Sequence, residues 1–187
     1  MSSAFFVSTG VIALAEIGDK TQLLAFLLAT RFKKPIPIIV GITLATIINH
    51  GLAGVVGAWI TANINPETLR WILGASFLAM AAWTLIPDKI EDEETQLATK
   101  LGVFGATFVT FFLAEIGDKT QIATVAMSAH YADVVMVVAG TTLGMLIADV
   151  PAVFAGDKLS QKIPMKWVHG IAAGMFALLG LATLLGL

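Results

Sequence analysis

Residues Ala15–Gln22 read AEIGDKTQ, and residues Ala114–Gln121 read AEIGDKTQ again, unchanged, 99 positions further on. Each copy places two acids and a base inside a long apolar run. A charged side chain at the centre of a bilayer costs at least about 2.5 kcal/mol on insertion scales, and six such charges are too many to be incidental. The rest of the sequence is organised around these two copies.

The chain has 187 residues, of which 57% are hydrophobic and 13% charged, with a mean hydropathy of +0.88. Soluble domains carry about 25% charged residues. Apolar stretches of eighteen or more residues recur, which is the signature of membrane spans. The expected class is therefore an all-α integral membrane protein, with no soluble enzyme domain and no nucleic-acid partner. The opening MSSAFFVSTGVIALA lacks a basic n-region and an A-x-A cleavage signal, so it reads as a retained first span. With no cysteine, disulfides and thiolate metal sites are excluded.

Six helices are expected, at about 4–30, 36–62, 67–86, 101–129, 133–156 and 165–187. NPETLRW (Asn65–Trp71) is a start signal, with Asn65 as N-cap and Pro66 in the first turn. PDKIEDEETQLATK (Pro87–Lys100) is the one long polar stretch and divides the chain into residues 1–90 and 91–187. The repeat reaches further than the octapeptide. At the same offset GITLATIINH (Gly41–His50) aligns with GTTLGMLIAD (Gly140–Asp149), and Gly57 with Gly156. Three helices used twice means that the second set enters the membrane from the opposite side. That predicts two inverted three-helix repeats, the architecture of many secondary transporters, with a site near the midplane between them.

Orientation follows from the loops. Arg31, Lys33, Lys34, Lys89, Lys100, Lys158, Lys162 and Lys166 fall on one side and Arg70 alone on the other. This bias predicts cytoplasmic basic loops and extracytoplasmic termini. Trp59 and Trp71 would then mark the outer interface, and Trp83 and Trp167 the inner one.

Glu16 lies about 12 residues into the first helix, roughly 18 Å at 1.5 Å per residue, near the middle of a hydrocarbon core about 30 Å thick. Glu115 is placed likewise. On a continuous helix Glu16, Asp19 and Lys20 share a face. Gly18 permits either a close neighbour or an unwound turn that offers carbonyls. Glu16, Asp19, Glu115 and Asp118 against Lys20 and Lys119 leave a net charge of −2, which one divalent cation or two protons would neutralise. With Thr21, Gln22, Thr120 and Gln121 the donors are hard oxygens, suited to Mn2+, Ca2+ or Mg2+. Gln22 and Gln121 are the expected amide ligands beside the four acids. Asn49, His50 and Asp149 lie mid-span at aligned positions. Asp149 is read as a further carboxylate or proton carrier, His50 as a second candidate for protons, and Met127, Met136 and Met145 as packing.

A duplicated E-x-G-D-[KR]-[ST] motif, one copy per three-helix repeat, resembles the family of Golgi, thylakoid and bacterial cation/proton exchangers that handle manganese and calcium. The resemblance covers essentially the whole chain. It implies export of Mn2+, with Ca2+ as the alternative, from the cytoplasm of a bacterium across its inner membrane, driven by protons. The cation is then a substrate, and no permanent cofactor is implied. The motif acids of that family form its cation site, which carries over to Glu16, Asp19, Lys20 and Thr21 and to Glu115, Asp118, Lys119 and Thr120. The rival readings are an exporter of small cationic solutes, a passive divalent-cation channel, and an intramembrane aspartyl protease using Asp19 and Asp118. The lysine after each aspartate opposes the shared-proton dyad of the last. No oligomeric state is specified.

Overall fold

A computed structural model describes residues 2–86, 101–155 and 165–186. The acidic loop, Lys89, Lys100, Gly156, Lys158 and Lys162 lie outside the described residues. Those described form eight helices: α1 (Ser2–Glu16), α2 (Lys20–Phe32), α3 (Pro35–Asn63), α4 (Pro66–Thr84), α5 (Gly102–Glu115), α6 (Lys119–Tyr131), α7 (Val134–Ala155) and α8 (Met165–Leu185).

The stretches 4–30 and 101–129, each expected as one helix, are instead each two. The break falls within the octapeptide, at residues 17–19 and 116–118. Gly18 and Gly117 sit there at φ 83° and 76°, a left-handed conformation that glycine adopts without steric cost. Asp19 and Asp118 then cap the helices that follow, accepting from the backbone amides of Lys20 and Thr120. The equal spacing extends to the far ends. α2 stops at Lys33 and α6 at Ala132, both left-handed at φ 52° and 51°, and Pro35 opens α3 at once. Asn65 caps α4 by accepting from Thr68 N at 2.8 Å.

Each long helix holds the broken pair of the other half. α3 packs against α5 and α6, and α7 against α1 and α2, while α4 pairs with α8. Aligned glycines admit these contacts. A Cβ on Gly140 would lie 2.5 Å from Phe5 O of α1, and one on Gly41 2.9 Å from Thr107 Cβ of α5. Phe77, Met127, Met145 and Phe176 fill one core and Leu28, Ile42 and Phe111 another. Met127 and Met145 thus serve as packing.

Two helices, Pro35–Asn63 and Val134–Phe154, are long and apolar enough to cross a membrane. Their outward faces carry Ile36, Val40, Ile47, Leu52 and Val55 on α3 and Val135, Ile147 and Phe154 on α7, all exposed. Trp59 and Trp71 are exposed on either side of the α3–α4 turn, and Trp167 is exposed at the start of α8. A chain that buries acids and presents aliphatic side chains outward has the polarity of a protein solvated by lipid.

Candidate cation site

The site is made by the two breaks. Glu16 is the last residue of α1 and Glu115 the last of α5, so each carboxylate projects where a helix ends. Asp19 and Asp118 occupy the N-termini of α2 and α6, where the helix dipole stabilises an anion by about 0.3–1 kcal/mol. One face of a continuous helix is therefore not what gathers the charges. The chain turns at glycine and starts a second helix, and the turn brings the acids together. All four are buried.

The two copies are joined by their charges. Lys119 Nζ lies 2.9 Å from Asp19 Oδ2, and Lys20 Nζ lies 3.4 Å from Asp118 Oδ1. Each lysine thus reaches the aspartate of the other copy. Glu16, Asp19 and Asp118 each offer a carboxylate oxygen, and the three lie within 4.8 Å of one another. Oxygens sit about 2.3–2.6 Å from Ca2+, so opposite ligands of one such ion are separated by about that distance. Glu115 adjoins this group through Thr120 Oγ1, which lies 3.1 Å from Glu115 Oε2 and 3.4 Å from Asp118 Oδ2. Hydroxyls steady the glutamates. Thr21 Oγ1 donates to Glu16 Oε2 at 2.6 Å, and Thr120 Oγ1 to Glu115 Oε2 at 3.1 Å. The second oxygen of each glutamate, Oε1, is buried without a hydrogen-bond partner among the described residues.

The glutamines also tie their own breaks together. Gln22 Oε1 accepts from Gly18 N at 2.9 Å, and Gln121 Oε1 from Gly117 N at 2.8 Å. A broken helix leaves the glycine amide without an intrahelical acceptor, and the side chain four residues on supplies one. Each glutamine oxygen thus spends one lone pair on its own break and keeps a second.

The long helices contribute three buried polar residues. Asn49 Nδ2 donates to Phe112 O of α5 at 3.0 Å. Neither ring nitrogen of His50 and neither carboxylate oxygen of Asp149 has a hydrogen-bond partner among the described residues. Asp149 directly follows Ala148, whose carbonyl accepts from Gln22, so it stands on the part of α7 next to the α1–α2 break. Two participants escaped sequence reading because they are main-chain atoms: Phe112 O, and Ala148 O, which accepts from Gln22 Nε2 at 2.9 Å. The available signal was the alignment of Asn49 with Ala148, a polar residue in one half opposite none in the other.

Comparison with known proteins identifies the family. Residues 4–92 and 103–187 match the family described as "Divalent cation/proton antiporter GDT1". A "Putative manganese exporter" of Vibrio cholerae is 52% identical over 97% of this chain and 90% of its own length. "GDT1-like protein 4" of Oryza sativa subsp. indica is 32% identical over 92% of this chain and 70% of its own. "GDT1-like protein sll0615" of Synechocystis is 30% identical over 98% and 97%. No solved structure matches the chain. With both broken helices inside the matched residues, the chain belongs to the GDT1 family of divalent cation/proton antiporters and is an integral membrane protein built of helices.

Proposed function

We propose that the chain exports Mn2+, with Ca2+ as a second substrate, from the cytoplasm in exchange for protons. The supporting observation is the meeting of Glu16, Asp19 and Asp118, from both copies of the octapeptide, within 4.8 Å. On this reading α1 with α2 and α5 with α6 are two discontinuous spans, which with α3, α4, α7 and α8 make six. The two sets of three are inverted, with the site near the bilayer midplane between them. The basic loops face the cytoplasm and the termini face outward, across a bacterial inner membrane.

Each part of the site then has a role. Glu16, Asp19, Glu115 and Asp118 supply hard oxygens. Lys20 and Lys119 hold the aspartates when the cation has left, since each already reaches one. Thr21 and Thr120 aim the glutamates. Asp149 carries a proton beside the cation carboxylates, with His50 as its counterpart in α3, and Asn49 supports the end of α5. Two lysines leave the four acids two charges in excess, a deficit that M2+ or two protons fill equally well. That equivalence drives exchange, because the empty, fully ionised site is the costly state between the two. The reading needs no catalytic step.

The test is Mn2+ flux in liposomes containing the purified chain, with the pH gradient set by the buffers. Uphill Mn2+ movement that follows the proton gradient and reverses with it is expected. Flux that runs only down the Mn2+ gradient, at any pH difference, would mean a channel.

A further inference from the structure

The two glutamines of the octapeptide have identical local sequences but unequal partners. Both oxygens accept from the glycine four residues back. Gln22 Nε2 also donates to Ala148 O of α7 at 2.9 Å, tying the α1–α2 break to the long helix of the other half. The equivalent bond, from Gln121 to the carbonyl of Asn49 in α3, is absent among the described residues. The α5–α6 break is held instead by Asn49 Nδ2 on Phe112 O. The helix ends differ to match. α1 closes with Ile17 N donating to Ala13 O, an α-type turn, whereas α5 closes with Ile116 N donating to Leu113 O. That tighter turn releases Phe112 O for Asn49. Ala148, which aligns with Asn49, has no side chain that could do the same for Ala13 O.

We infer that Gln22 and Gln121 are alternate latches: Gln22 on the Ala148 carbonyl holds the conformation described here, and Gln121 on the Asn49 carbonyl holds the opposite one. This rests on the exchange reading in one respect, that two conformations alternate by one half rocking against the other. In inverted repeats the second conformation is the first with the halves exchanging places, so each bond of one state predicts its partner in the other. The exchange is imperfect at the aligned pair Asn49 and Ala148. Asn49 supports α5 here, but Ala148 cannot support α1 there, so the conformation described has one more tie than its counterpart. The glutamines are then positioning residues for the cycle, acting through the breaks that carry the acids, rather than cation ligands.

The test is hydrogen exchange of the chain in lipid nanodiscs without added cation, read on segments 13–24 and 112–123. Gln22→Leu removes the first latch, and Ala148→Asn supplies the missing donor of the second state. Both are expected to change exchange in segment 112–123, to which neither belongs, in the same sense and by about fivefold, the size of one hydrogen bond. Gln121→Leu is expected to change segment 13–24, with the population moving the other way. In liposomes each Gln→Leu variant should lower the maximal Mn2+ rate with little change in half-saturating Mn2+. Exchange altered only in the substituted residue's own segment would make the glutamines local caps and end the proposal. A tenfold rise in half-saturating Mn2+ with no distant change would make them ligands and end it equally. Should both Gln→Leu chains fail to insert, Ala148→Asn decides alone, since it removes no contact: an unchanged distant segment overturns the latch. Hydrogen exchange requires no transport, so a wild-type chain that fails to couple Mn2+ to protons would count against the exchange reading without touching this result.

Discussion

The two copies of AEIGDKTQ are the same eight residues in two different settings. In the first, Lys20 is 23% exposed and stands 3.4 Å from its aspartate; in the second, Lys119 is 3% exposed and stands 2.9 Å away. Thr21 sits at 2.6 Å from its glutamate and Thr120 at 3.1 Å. Gln22 reaches the opposite long helix and Gln121 does not. Local sequence cannot produce these differences. They come from the long helices, where one half supplies Asn49 and His50 and the other Ala148, Asp149 and, two residues on, Pro151, which removes a donor from inside α7. A symmetric motif is made asymmetric by what packs against it.

The strongest way to break that comparison is to neutralise one glutamate in each copy. If the copies form one site, Glu16→Gln and Glu115→Gln should each abolish Mn2+ flux, by about a hundredfold or more; if they act separately, each variant should keep roughly half. The lysines come next. Lys119→Met leaves Asp19 buried without its ion pair, a loss of about 3 kcal/mol, which for a chain of this length lowers the thermal unfolding midpoint in detergent by about 6–12 °C. Lys20→Met also leaves a buried aspartate without its lysine, but the contact is longer and Lys20 is 23% exposed, so the loss should be smaller than for Lys119→Met; equal shifts would mean the two settings are not distinct. Asn49→Ala should cost about 1 kcal/mol, because losing the bond to Phe112 O is partly offset by removing Asn49 Oδ1, which has no partner among the described residues. The smallest effect sharpens the difference within the motif. Thr21→Val should destabilise the chain more than Thr120→Val, by about 0.5 kcal/mol, in line with the shorter hydroxyl–carboxylate bond.

Much of the site was legible in the sequence because it is repeated there. The identical acids and bases at a fixed offset named the residues, and the charge count suggested what could fill the site. The breaks were harder to read. An apolar run with helical spacing looks continuous on both sides of Gly18, and only the glycine hinted at the unwinding that φ 83° makes plain. The reach of Lys20 to Asp118 and of Lys119 to Asp19 could not be read from spacing, since it depends on how α3 and α7 bring the two breaks together. The fate of the glutamine oxygens was hidden for a related reason. Their acceptor role is set by a glycine amide that is free only once the helix is broken. Main-chain acceptors such as Phe112 O leave no trace in residue identity at all.

The crossed ion pairs also set a timetable for biosynthesis. Asp19 enters the membrane with the first half of the chain, yet the lysine that pairs with it is 100 residues downstream. At about 5–20 residues per second of translation, roughly 5–20 s pass before Lys119 leaves the ribosome. During that interval the nascent first half carries Asp19 without the lysine that pairs with it in the folded chain. Such an intermediate must stay near the insertion machinery or near water until its second half arrives.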